Sequence, residues 1–245
     1  MQYLRSLIFF VTMVTTAVLF APLALLAFPF SFETRYRVVS LWGRFNIWWL
    51  GVTCGLRYEI EGLENLPKET AIVFSKHAST WETFALQCFL PPQTWVLKRE
   101  LLRVPFFGWG LAMLKPVAID RASGRKALKQ LVDNGKTCLD EGRWLIIFPE
   151  GTRMEPGTMR KFGFGAAMLA EKSGHPVVPV AHNAGHFWPR HGMLKKRGVI
   201  KVKIGEVINT EGVKASQINE QAEQWMIQAM TELTGEPETV IDRKK

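Results

Sequence analysis

From Leu7 to Phe30 the chain carries no charged side chain. Wound as one helix, this run reaches about 36 Å at roughly 1.5 Å per residue, against about 30 Å of bilayer hydrocarbon. Such a segment must find apolar surroundings, in a bilayer or against a protein core. Pro22 divides it, and the stretch before the proline, Leu7 to Ala21, reaches only about 22 Å. Two outcomes are open: the helix kinks at Pro22 and spans, or it turns back within one leaflet. A cleaved leader fits less well, because the apolar run is too long and a second membrane-seeking stretch follows it.

That second stretch is Val38 to Leu56. Leu41, Trp42, Phe45, Trp48, Trp49 and Val52 fall on one helical stripe, with Ser40 and Arg44 off it. A core helix would show the same period. Clustered tryptophans favour the headgroup boundary, so the expectation is an interfacial helix. Arg35, Arg37 and Arg44 outnumber the lone Arg5 ahead of the first segment. By the positive-inside rule the chain after residue 30 faces the cytoplasm. Residues 1–56 are thus expected to be membrane-associated helices, 57–235 one catalytic domain, and 236–245 a polar tail.

In the domain, short apolar runs alternate with helical patterns. Ala71 to Phe74, Thr94 to Leu97, Pro116 to Ile119, Trp144 to Phe148 and Val177 to Val180 read as strands, and Val199 to Ile204 as a half-exposed one. Leu128, Leu131, Val132, Gly135, Cys138 and Leu139 share a helix face that Gly142 can end. Ile218, Ala222, Trp225, Met226, Met230 and Leu233 make a second such stripe. This alternation predicts an α/β layered sheet flanked by helices. The formal net charge of +9 implies an anionic partner. No zinc-finger spacing or RNA-binding aromatic signature accompanies it, so nucleic acid is excluded as that partner. Cys54, Cys88 and Cys138 are widely spaced and read as small core residues. His182, His186 and His191 lack the Glu of a zinc-hydrolase helix and read as loop or surface histidines, so no metal is expected.

Two motifs carry the chemistry. In Ser75-Lys-His-Ala-Ser-Thr-Trp-Glu-Thr83, a histidine precedes a carboxylate by five positions. Glu82 can hold one ring nitrogen of His77 and leave the other to take a proton from a hydroxyl. On one continuous helix the two would lie about 140° apart, so His77 must precede the helix. Ser79 to Glu82 also fits a capping box, in which Glu82 only starts that helix. The second motif, Phe148-Pro-Glu-Gly-Thr-Arg153, has the look of a buried strand ending in a turn that displays Glu150 and Arg153. The planar fork of an arginine suits a phosphate.

Together these motifs resemble those of the glycerophospholipid acyltransferases, and are most similar to the bacterial 1-acyl-sn-glycerol-3-phosphate acyltransferases. Val104-Pro-Phe-Phe-Gly-Trp-Gly110 leading into Lys115-Pro-Val-Ala-Ile-Asp-Arg121 resembles the family's second motif, and Val177-Val-Pro-Val180 its fourth. The likeness runs roughly from Ile60 to Ile204. Glu82 departs from it, because most of the family has aspartate there, although some bacterial branches carry Glu. The resemblance implies acyl transfer from acyl-acyl carrier protein or acyl-coenzyme A to lysophosphatidic acid, in contact with membrane lipids and at the inner membrane. His77 would be the base and Glu82 its partner. Backbone N–H groups at the following helix start would hold the oxyanion. Arg121 and Arg153 would hold the phosphate with Lys161 in support, beside Gly151 and Thr152. Glu150 would take the glycerol hydroxyl or orient Arg153. The apolar stretch Val104 to Met113 would be a wall for the acyl chain. No cofactor is needed if the acyl group passes directly. The alternatives are another lysolipid acceptor, or a non-catalytic binder of anionic lipid.

Overall fold

The computed structural model describes residues 1–120 and 123–242. Two long helices come first, α1 (Gln2–Leu26) and α2 (Phe32–Cys54), packed against each other. The strand-rich part follows as β1 (Leu56–Glu61), β2 (Ile72–Ser75), α3 (Trp81–Phe89), β3 (Gln93–Lys98), α4 (Phe107–Met113) and β4 (Val117–Ile119). It continues through α5 (Arg125–Asp140), β5 (Trp144–Ile147), β6 (Thr158–Arg160), α6 (Phe164–Ser173) and β7 (Val177–His182). The last elements are α7 (Ala184–Phe187), β8 (Gly198–Ile204), α8 (Ala215–Thr234) and β9 (Thr239–Ile241).

Seven strands form one sheet in the order β1-β8-β7-β2-β5-β3-β4. All neighbours are parallel except β7 and β8. The central strands β2, β5 and β7 are buried along their whole length, as continuous apolar runs covered on both faces must be. Alternate residues feed two cores. Ile72, Phe74, Leu145 and Ile147 pack with residues of α5, α6 and α8, while Val73, Trp144 and Ile146 pack with those of α1, α2 and α3. Gly135 lets α5 approach α6, since a Cβ there would meet Leu169 Cδ2 at 2.6 Å. Half-exposed β8 alternates as its pattern predicts.

The first helix is continuous at Pro22. α1 runs through the proline to Leu26, so Pro22 removes one hydrogen bond without ending the helix. Its 25 residues give about 38 Å. Among the described residues it is the helix long and apolar enough to cross a membrane. α2 buries one face and exposes another. Tyr36, Ile47, Leu50 and Cys54 enter the core. On the opposite side Leu41, Trp48 and Val52 of the expected stripe are 54%, 60% and 58% exposed.

Three strands have no counterpart in the sequence reading: β1, β6 and β9. The last lies in the expected polar tail. Thr239–Ile241 pairs in parallel with Thr158–Arg160, and the Glu238 side chain is buried.

Leu41 and Trp48 cover no core, so the double replacement Leu41→Glu/Trp48→Glu should change unfolding stability by no more than about 0.5 kcal/mol per site. Binding to phospholipid vesicles should weaken at least about tenfold. Vesicle flotation beside a thermal melt checks both, and unchanged flotation would remove this face from the membrane contact.

Candidate active site

β2 ends at Ser75, and α3 does not begin until Trp81. His77 therefore lies in the connecting turn, as its pairing with Glu82 requires. Glu82 is in the first turn of α3 and is fully buried. Its Oε1 lies 2.8 Å from His77 Nδ1, and also accepts from Ala78 N (3.1 Å) and Ser79 N (3.0 Å). One oxygen thus closes the helix start and orients the imidazole. The helix begins later than a Ser79 cap implies, with Thr80 at the cap position and Ser79 Oγ accepting from Trp81 N. Burial pushes the Glu82 pKa up, but the His77 bond and the backbone donor of Ser79 outweigh it and hold the carboxyl below its ordinary value. A carboxylate bonded at Nδ1 puts the ring proton there and makes Nε2 the basic nitrogen.

His182 is no surface histidine. It ends β7, is fully buried, and places Nε2 3.0 Å from Lys76 O and 3.9 Å from Glu82 Oε2. Burial holds its pKa below the ordinary value. A neutral ring with Nε2–H donates to Lys76 O, and Nδ1 accepts from Ala184 N at 3.4 Å.

β5 lies beside β2, with Phe74 paired to Ile147, so the two motifs emerge side by side. The Phe148 ring stacks on the His77 imidazole with centroids 4.0 Å apart and planes 15° from parallel. Gly151 N donates to Phe148 O in a tight turn whose Gly151 has φ +76°. Met154 N donates to His77 O at 2.8 Å, fastening the turn to the histidine. Glu150 is buried and points away from the pocket, which corrects its expected contact with glycerol or with Arg153. Its Oε1 accepts from His77 N (2.9 Å), and its Oε2 from Lys76 Nζ (3.1 Å) and Arg160 N (3.3 Å).

His77 opens onto a cavity of about 410 Å³. Phe20 and Ala24 of α1, Trp42 of α2, Phe84 of α3, and Phe107 and Leu111 of α4 give it apolar walls. The stretch Val104 to Met113 thus forms part of the wall, as expected. The same cavity also has polar and charged lining residues: Thr80, Gly151, Thr152, Arg153, Arg190, His191 and Lys98. Arg190 Nη1 donates to Arg153 O at 2.7 Å. Arg153 Nε is buried without a hydrogen bond to the described residues. Phe106 (φ 62°) and His191 (φ 59°) hold left-handed backbones beside this cavity, each costing about 1–3 kcal/mol, and such strain clusters at functional sites.

Of the expected residues, His77, Glu82, Gly151, Thr152 and Arg153 come together here. Lys161 does not line the cavity; its Nζ pairs with Asp242 at 2.7 Å on an exposed surface. Arg121 lies outside the described residues. The N–H groups expected to hold an oxyanion are largely engaged: Ala78 and Ser79 donate to Glu82, Trp81 to Ser79 Oγ and Thr83 to Thr80 O. Lys98 and Arg190 belong to none of the motifs. Lys76 stands in the first motif without a role of its own there, and His182 was expected at the surface.

The sequence model of the Acyltransferase family matches residues 57–183. The chain is 47% identical to a 1-acyl-sn-glycerol-3-phosphate acyltransferase of Pseudomonas aeruginosa, over 95% of this chain and 93% of that protein. It is 34% identical to the Saccharomyces cerevisiae protein of the same name, over 69% of this chain and 57% of that one. A crystal structure of a 1-acyl-sn-glycerophosphate acyltransferase from Thermotoga maritima has the same fold, with a TM-score of 0.81 over 96% of this chain and 97% of that one at 24% identity. With a histidine–carboxylate pair at the mouth of an apolar cavity, and with a family match over half its length, this chain belongs to the acyltransferase family.

Proposed function

We propose that this enzyme transfers an acyl group from an acyl thioester to the sn-2 hydroxyl of lysophosphatidic acid, giving phosphatidic acid. One observation carries the reading: the His77–Glu82 pair opens on a largely apolar cavity whose lining also includes Arg153, Arg190 and Lys98. The names of the relatives supply the acceptor.

The acceptor hydroxyl approaches His77 Nε2, which takes its proton as the oxygen attacks the thioester carbonyl. Glu82 stabilises the imidazolium that forms, and its two backbone bonds keep it in place. The tetrahedral intermediate collapses with cleavage of the C–S bond. The thiolate leaves and takes up the proton from His77, which restores the base. Stacking on Phe148 limits tilting of the ring during both transfers.

Arg153 binds the acceptor phosphate. Its buried Nε, without a hydrogen bond to the described residues, fits a donor awaiting an anion. Arg121 joins it, as the resemblance implies. The apolar walls take the acyl chain. Lys98 and Arg190 suit the anionic donor, whether acyl carrier protein or acyl-coenzyme A. The exposed apolar faces of α1 and α2 rest on the inner membrane, with residues 57–235 on its cytoplasmic side. This placement is supported by the arginines that follow the first apolar run.

The direct test supplies the purified full chain with lysophosphatidic acid, or another lysolipid, and with each donor in turn, while free thiol is monitored. Thiol release with lysophosphatidic acid is expected. Vesicle binding without release would make the protein a silent lipid binder, and release only with another lysolipid would change the acceptor.

His77→Ala should abolish turnover, with less than about a tenth of the activity left, while the melting temperature shows the protein still folded. Arg153→Ala should raise the Michaelis constant for the acceptor about ten- to a hundredfold and leave that for the donor nearly unchanged. Steady-state kinetics with each substrate varied would decide both.

Glu82→Gln should lower turnover at least about tenfold. The amide oxygen can keep the three bonds to Oε1, but the amide nitrogen, a donor, is buried at the position of Oε2, which has no hydrogen-bond partner among the described residues, and an unsatisfied donor there costs about 1–3 kcal/mol of stability. Because the folded pKa of Glu82 lies below its ordinary 4.5, the unfolded chain takes up its proton first as pH falls. Wild-type stability from this group is therefore complete above about 4.5 and is lost as pH falls through the folded pKa. The stability gap between wild type and Glu82→Gln should narrow over that acid range in denaturant titrations. A constant gap would show that the charge adds no stability.

A further inference from the structure

Lys76 directly precedes His77, yet its side chain turns inward and is buried. Its Nζ lies 3.1 Å from Glu150 Oε2 and 3.6 Å from Glu238 Oε2, and donates to Thr158 O at 2.8 Å. Charges buried this deeply persist only when paired. Burial raises the Glu150 pKa, and Lys76 pulls it back toward the ionised form. The same carboxylate accepts the His77 backbone N–H. The position of His77 therefore depends on Glu150, and the charge of Glu150 depends on Lys76.

The other contacts of the ammonium come from a small ribbon. Thr158 belongs to β6, and Glu238 directly precedes β9. β6 pairs with β9 alone, in a two-stranded sheet separate from the main one. Thr239 N donates to Gly157 O and Lys161 N to Ile241 O, which holds the ribbon in register. The ribbon also provides Arg160 N, the third donor to Glu150. Glu238 makes no hydrogen bond with either carboxylate oxygen among the described residues, so its ion pair with Lys76 accounts for its buried position. Neither Lys76 nor Glu238 lines the cavity.

We propose that Lys76 and Glu238 are positioning residues of the active site and that β9 is part of its frame. Together they hold the Glu150 carboxylate against the His77 backbone N–H and so keep the imidazole within reach of Glu82. The C-terminal segment is thereby coupled to the catalytic base through Lys76 and Glu150. The kinetic part of the test rests on the acyl-transfer reading.

The full chain in phospholipid vesicles is assayed as wild type, Lys76→Met and Glu238→Ala. Displacing a base by about 1 Å can cost up to about a hundredfold in rate, so kcat is expected to fall at least about tenfold in Lys76→Met and about threefold in Glu238→Ala. The Michaelis constants for acceptor and donor stay within about twofold, because neither side chain meets substrate. The acid limb of the kcat profile moves to lower pH, since an imidazole farther from its carboxylate holds a proton less firmly. Lys76→Met leaves a buried carboxylate unpaired and can fail to fold; Glu238→Ala removes only the outer carboxylate and keeps the test decisive. Nuclear magnetic resonance of histidine-labelled protein follows the His77 titration without turnover and should shift in the same direction. An unmoved acid limb and titration, with kcat losses that track the folded fraction, would make these ion pairs purely structural and overturn the proposal. A rise in a Michaelis constant with kcat retained would overturn it too. Failure of the wild type to turn over counts against the acyl-transfer reading alone, and the histidine titration still decides this one.

Discussion

Glu150 is a carboxylate without solvent exposure, shared between the ends of two parallel strands. It follows β5 by sequence and accepts the backbone N–H of His77, which follows β2. Desolvation makes such a group costly, and the structure answers with three donors of which one is charged. Each donor comes from a different part of the chain or of the turn: the ammonium of Lys76, the backbone of His77 and the backbone of Arg160. If that carboxylate is satisfied, the two motif turns are locked together. If it is not, the His77 backbone N–H loses its carboxylate partner and the tie between the two turns is weakened.

The sheet order makes this meeting possible. β2 and β5 are neighbours, and β7 lies on the other flank of β2. The residues that leave the carboxyl ends of these strands are His77, Phe148 and His182, so the proposed base, its stacking partner and a buried neutral histidine converge at one edge. Open α/β sheets present their sites at this end of the strands because the loops there are all on one side. His182 fills the space behind Glu82 and does so uncharged, since its burial in an apolar setting disfavours the imidazolium.

The apolar N-terminal helices divide their surfaces between the interior and the outside. α1 puts Phe9 into the core and Phe20 and Ala24 into the cavity wall, while Leu4, Leu19 and Leu26 stay exposed. A helix apolar on nearly every face can serve two interfaces at once. α2 divides its faces similarly, with Trp42 on the cavity and Trp48 outside. The wall of the cavity and the exposed apolar surface are therefore different faces of the same two helices.

The sequence alone determined what local pattern and residue chemistry can encode. The central strands were legible as short apolar runs, α5 and α8 as periodic stripes, and His77 with Glu82 as a pair only five positions apart. β6 and β9 were not legible, because three residues each are too few to show a period and they pair only with each other across a long separation; β1 was passed over although Leu56, Tyr58 and Ile60 alternate with Arg57, Glu59 and Glu61. The direction of the Glu150 side chain was decided by a bond spanning 73 positions, and the burial of His182 by one spanning 106. Lys76 and Glu238 looked like ordinary charged residues because their significance lies in a shared dry environment that exists only after the ribbon of β6 and β9 closes. Residue types and short spacings state which chemistry is available; burial and long-range pairing, which no local window contains, decide which of those groups meet substrate and which hold the others in place.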